Sequence, residues 1–152
     1  MNSINIGSDA PDFRLPGTGG ATVALSDCRG KKIVLFFYSK DNTSGCTNEV
    51  IDFRDLYPEF AAAGVEVFGI SRDSIGAHEK FAVKLSLPYK LLSDADGTVC
   101  KLYEVLKEKN MYGKKVIGVE RSTFIIDSSG KVEKAFRKVK VAGHAQTVLN
   151  SL

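Results

Sequence analysis

The spacing of hydrophobic residues changes several times along this chain, and each change marks an element. Residues 33–38 are apolar at every position, as a strand buried on both faces must be, and a strand over 32–37 is predicted. From Cys46 onward the apolar residues Val50, Phe53, Leu56 and Phe60 recur every three or four positions. That is one face of a helix over 46–63, which Gly64 would end. A second buried strand follows over 65–70, then a helix over 74–85 and a strand-like piece over 89–92. Val99, Leu102, Tyr103 and Leu106 predict a helix over 98–106, and a basic loop is expected over 107–115. Residues 123–126 and 132–136 bracket the turn Asp127-Ser128-Ser129-Gly130 and read as a hairpin; a last helix starts at about 143.

Upstream, short extended pieces around 13–15 and 22–24 flank Gly17-Thr18-Gly19-Gly20, which predicts an N-terminal β-hairpin. Ser26 or Asp27 would cap a single helical turn before Gly30. A βαβ unit followed by a hairpin and a helix makes this an α/β protein with a mixed central sheet flanked by helices. The strand order suits a thioredoxin-like fold. With no repeat and no linker, one domain over 1–152 is expected.

Composition narrows the function classes. Apolar residues at 43% and charged ones at 26% are ordinary for a globular chain, and the net charge of +3 is mild. Neither nucleic acid nor a membrane surface is indicated as a partner. No apolar run reaches membrane-spanning length, and residues 1–5 lack the basic start and apolar region of a secretion signal. Three widely spaced cysteines make no disulfide framework, so a reducing compartment, the cytoplasm, is expected. They form no Cys-x-x-Cys, and with the isolated His78 and His144 they show no zinc spacing. Asp94-x-Asp96-Gly97 is too short for an EF-hand. No metal or cofactor is expected.

Asp94-Ala95-Asp96-Gly97-Thr98-Val99, following a strand, resembles the nucleophile loop of haloacid-dehalogenase-type phosphatases. That Mg²⁺-dependent reading is remote. The loop normally follows the first core strand, and no later acidic pair completes a metal site. Acidic residues at a helix N-terminus are favoured by the helix dipole without any catalysis.

Cys46 carries more chemistry. It follows an apolar run and the polar turn Ser39-Lys40-Asp41-Asn42-Thr43-Ser44-Gly45, and it heads a helix. Unpaired N–H groups and the positive end of the macrodipole stabilise a thiolate there, and the thiolate is the reactive form. Thr43 can aim a hydroxyl into the same turn. A free cysteine is more often a small buried hydrophobe, the preferred reading for Cys100 on an apolar helix face. Thr43 by itself could equally be a cap or turn residue, and Arg121 a solvated charge at a strand start.

The segment from Phe37 to Thr47 resembles the peroxidatic loop of the peroxiredoxins, in particular the peroxiredoxin Q or bacterioferritin comigratory protein group. The likeness continues through Ala10-Pro11-Asp12-Phe13, Gly69-Ile70-Ser71, Leu92-Ser93-Asp94, Tyr112-Gly113-Lys114 and Glu120-Arg121-Ser122-Thr123-Phe124, in order along nearly the whole chain. The resemblance implies a thiol-dependent peroxidase acting on hydrogen peroxide and organic hydroperoxides. Cys46 would be the peroxidatic cysteine, passing through a sulfenic acid. Thr43 would hydrogen-bond peroxide and thiolate, Arg121 would lie beside the sulfur, and Glu49 would orient that arginine. Electrons would come from thioredoxin, glutaredoxin or a low-molecular-weight thiol. A monomer or weak dimer is implied.

The chain departs from the family pattern twice. Ser39 and Ser44 stand where the family has prolines, and Ser39 removes a ring that walls the cysteine from water. The family's resolving cysteine lies five residues after the peroxidatic one or in the next helix, positions held here by Ile51 and Ala82. A one-cysteine enzyme recycled by an external thiol is therefore expected. Cys28, and less readily Cys100, remains an alternative resolving thiol. Ser39 also leaves room for a different class, a thioredoxin-fold redox sensor or binding module with weak catalysis.

Overall fold

A computed structural model describes residues 4–152. Seven strands form one sheet in the order β2-β1-β5-β4-β3-β8-β9. They are β1 (Arg14–Gly17), β2 (Ala21–Ala24), β3 (Lys32–Phe37), β4 (Val65–Ser71), β5 (Lys90–Ser93), β8 (Ser122–Ile126) and β9 (Val132–Phe136). The centre, β3-β4-β5, is parallel, and β1, β2, β8 and β9 add antiparallel edges. This is the expected mixed sheet with its N-terminal hairpin. The helices are α1 (Ser44–Ala62), α2 (Ile75–Leu85), α3 (Thr98–Leu102) and α4 (His144–Asn150). No helix among the described residues is long and apolar enough to cross a membrane.

The continuous apolar run of β3 is explained by its burial on both faces. Ile33, Leu35 and Phe37 point into a cluster with Leu92, Tyr103, Val105 and Phe124. Val34, Phe36 and Tyr38 point the other way, into a cluster with Cys46, Val50 and Phe53 of α1, Phe81 of α2 and Val148 of α4. Phe36 and Phe53 stack with ring centroids 4.4 Å apart. Gly69, on β4, makes room for this packing: a Cβ there would lie 2.8 Å from both Phe36 and Leu91.

Three expectations need correction. The helix predicted over 98–106 stops at Leu102, because Glu104 adopts φ +59 and Val105 turns into the core with its N–H on Cys100 O. The basic loop expected over 107–115 is a two-stranded hairpin, β6 (Leu106–Met111) and β7 (Lys114–Val119). Its turn, Tyr112-Gly113, has φ of +53 and +77, the geometry that suits a two-residue hairpin turn. Its lysines and its exposed Val116 and Ile117 blur the alternation that marks a strand. Finally, the helical turn after β2 is a 3-10 turn over Leu25–Cys28 that begins after Ala24. Neither Ser26 nor Asp27 caps it; the Ser26 N–H donates to Asp12 Oδ1 at 2.9 Å.

Candidate active site

Cys46 is the third residue of α1, just beyond the carboxyl end of β3. The first helical bond runs from Thr47 N–H to Thr43 O at 2.8 Å, so the earlier N–H groups point out of the helix start without intrahelical partners. The thiol is 1% exposed and sits in the α1–α2–α4 cluster.

Sheet pairing brings the arginine. β8 runs antiparallel to β3 with Phe37 opposite Ser122, which sets Arg121 beside the segment that leads to Cys46. Arg121 Nη2 lies 3.4 Å from Cys46 Sγ, and Nη1 donates to Glu49 Oε1 at 2.7 Å. Glu49, one turn after Cys46, is 1% exposed, and its Oε2 has no partner. Burial pushes the Glu49 carboxyl up to about 7, against the pull of Arg121. Arg121 itself, despite burial, is held more firmly charged by Glu49 and Cys46.

The sulfur faces opposing influences. Burial raises the thiol, but the neighbouring Ser39 and Thr43 hydroxyls and Lys40 backbone, with the Arg121 charge, bring it down to about 7. Ser39 Oγ is 3.2 Å from Sγ. Thr43 is the N-cap residue of α1, but its side chain caps nothing; its hydroxyl donates to Lys40 O at 2.9 Å. One hydroxyl has one proton, so in this geometry Thr43 closes the turn, and its O–H must turn about the Cβ–Oγ1 bond to point that proton at the sulfur.

Beneath the loop lies a polar network that sequence reasoning missed. The Tyr38 hydroxyl donates to Asp41 Oδ1 at 2.6 Å, and His78 Nδ1 meets Asp41 Oδ2 at 2.8 Å. His78 Nε2 meets the Leu92 carbonyl at 3.1 Å, so each ring nitrogen faces an oxygen. The Asp41 N–H donates to Asp73 Oδ2 at 2.9 Å, and the Ser71 hydroxyl bonds the same carboxylate. Asp41, Asp73 and His78 are close enough to hold a cation, but these atoms are already committed to one another and to Tyr38, Ser71 and Leu92. The signal in the sequence was faint: polar residues next to buried strand ends.

The other candidates separate from this site. Cys28 precedes β3 and Cys46 follows it, so the strand's length of about 17 Å lies between them. Cys28 donates to Ala24 O, and burial raises its thiol. Cys100 is fully buried and pushed far up by burial and by Asp94. Asp94 is itself fully buried and accepts from the Val99 and Cys100 N–H groups at 3.1 and 2.7 Å. That is a helix cap, which overturns the phosphatase reading of the loop.

Residues 6–135 match the AhpC/TSA family. The putative peroxiredoxin bcp of Coxiella burnetii is 49% identical over 150 residues, covering 99% of each chain. A PrxQ mutant from Xylella fastidiosa superposes with a TM-score of 0.93 at 41% identity, covering 99% of this chain and 96% of that one. The bacterioferritin comigratory protein of Xanthomonas campestris, solved as trapped intermediate and ligand complexes bearing on its alkyl peroxide reduction, gives 0.91 at 44% identity over 97% and 96%. The fold they share with this chain is thioredoxin-like.

Proposed function

This chain belongs to the AhpC/TSA family as a peroxiredoxin of the Bcp/PrxQ group, a thiol-dependent peroxidase, and from that premise we propose that Cys46 is its peroxidatic nucleophile. The observation that carries the assignment is one guanidinium joining two acids, with Arg121 3.4 Å from the sulfur and 2.7 Å from Glu49. The Cys46 thiolate attacks the terminal oxygen of ROOH, the O–O bond breaks, and RO⁻ leaves to take up a proton. The sulfur remains as sulfenic acid.

A low thiol pKa does not by itself make a fast enzyme, because nucleophilicity falls with basicity. Donors aimed at the charge growing on the peroxide oxygens supply the rest. Arg121, the N–H groups at the start of α1, and Thr43 after rotation from Lys40 are those donors. Glu49 is a positioning residue that acts through Arg121. Substrates are hydrogen peroxide and organic hydroperoxides; the alkyl peroxide activity of the Xanthomonas relative supports the second.

Recycling is of the one-cysteine type. Ile51 and Ala82 offer no thiol, and Cys28 lies beyond the far end of β3, well outside the Cα separation of a disulfide. An external thiol, whether thioredoxin, glutaredoxin or a small thiol, reduces the sulfenate. The chain works as one domain, monomer or weak dimer, in a reducing cytoplasm that suits its three unpaired cysteines. Stopped-flow peroxide consumption tests the assignment. Wild type should react orders of magnitude faster than a free thiol and Cys46→Ser not at all; a wild type no faster than free thiol overturns it.

A further inference from the structure

We propose that the Ser39 hydroxyl is the principal hydrogen-bond donor to the Cys46 thiolate, and that it sets the pH range in which the enzyme works rather than its limiting rate. The contact measures 3.2 Å, against 3.4 Å for Arg121. A thiolate has no proton, so the hydroxyl must be the donor. The other donors do less: Thr43 gives its proton to Lys40 O, Arg121 divides its charge between Glu49 and the sulfur, and the Lys40 backbone ranks behind Ser39 among the bonds that lower the thiol.

Ser39 is also held in place from both sides. On one side the Tyr38 N–H donates to Ile70 O at 3.0 Å; on the other the Asp41 N–H is bound by Asp73 at 2.9 Å. The charged and titratable groups facing the sulfur are Arg121, before β8, and Glu49, on α1. In support, the Ser39 bond leads the influences that lower the Cys46 thiol. Proline, which stands here in the pattern the sequence resembles, has no such donor.

A bond to the ground-state thiolate has two consequences. It keeps sulfur ionised at lower pH, and it holds back the electron pair that must attack peroxide. The hydroxyl exchanges reactivity at high pH for ionisation at low pH. The rate part of this inference rests on Cys46 being peroxidatic, whereas the ionisation part does not.

Thiolate absorbance at 240 nm, taken as the difference from Cys46→Ser, reads the ionisation without peroxide. Ser39→Ala should raise the inflection by about one pH unit, and Ser39→Thr should keep it near wild type. Peroxide rates should then cross. At pH 6, Ser39→Ala would be about threefold slower, since tenfold less thiolate is offset by about threefold greater nucleophilicity. Above pH 9 it would be about threefold faster. An unmoved inflection in Ser39→Ala, or an equal rise in Ser39→Thr, overturns the proposal. A moved inflection with no fast peroxide reaction in wild type would instead count against the peroxidatic assignment.

Discussion

Arg121 serves two acids at once, and its fork geometry is what permits it. Lysine would bring the charge as a single point, without the planar fork that aims one N–H at each acid. Arg121→Lys should therefore lower kcat/KM by about 100- to 1,000-fold and move the thiolate inflection upward, read by peroxide kinetics across pH. The two acids titrate in opposite senses. Cys46 is lowered from 9.0 to about 7, so it adds stability above pH 9 that is lost as pH falls through 7. Glu49 is raised from 4.5 to about 7, so it adds stability below pH 4.5 that is lost as pH rises through 7. Urea midpoints at pH 5 and pH 8 should show this: Glu49→Gln flattens the decline between them. The place of Cys46 at a helix start was legible from its neighbours alone. Ser39 was not, because its importance depends on a 3.2 Å contact that no spacing encodes.

Among the elements, those packed into the core sheet were legible and the separate exposed hairpin was not. α1 and β3 announced themselves by period and by an unbroken apolar run, since each buries a face large enough to dominate its local sequence. β6 and β7 pair only with each other among the described strands; Val119 and Leu106 at their base reach the core, but residues 114–117 stay exposed and the lysines set the appearance of the pair. Tyr112, fully exposed at φ +53, is a strained choice for that turn. Tyr112→Asn should stabilise the hairpin by a few tenths of a kcal/mol up to about 1, visible as slower amide exchange over 106–119, with peroxide turnover unchanged. The loop before α1 is held on the opposite side by α2, through His78 and Asp41. His78→Leu leaves Asp41 Oδ2 buried without its imidazole partner, with only Tyr38 on Oδ1, and should cost about 1–3 kcal/mol in urea denaturation. Faster amide exchange over 39–47 should accompany it.

At the scale of the whole molecule, the sheet order separates the cysteines and unites the site. Cys28 and Cys46 lie at opposite ends of β3, whereas Arg121, 75 residues beyond Cys46, arrives beside it because β8 pairs with β3. Peptide mapping after one equivalent of peroxide should find oxidised Cys46 and no intramolecular Cys28–Cys46 bond; finding that bond would mean the fold opens far more than its core suggests. Local patterning by itself determined the long helices, the buried strands and the helix-start cysteine, because each is written in neighbouring residues; the residues at 51 and 82 took their meaning from the resemblance. The partnership of Arg121 with Cys46 and Glu49, implied only by resemblance, became a geometry through strand pairing. The Ser39 contact, the Thr43 proton bound to Lys40 and the Asp41–His78 anchor were decided by tertiary structure alone. They depend on where a few hydroxyl, carboxylate and imidazole groups meet across the end of the sheet, a matter of tenths of an ångström that residue order does not express.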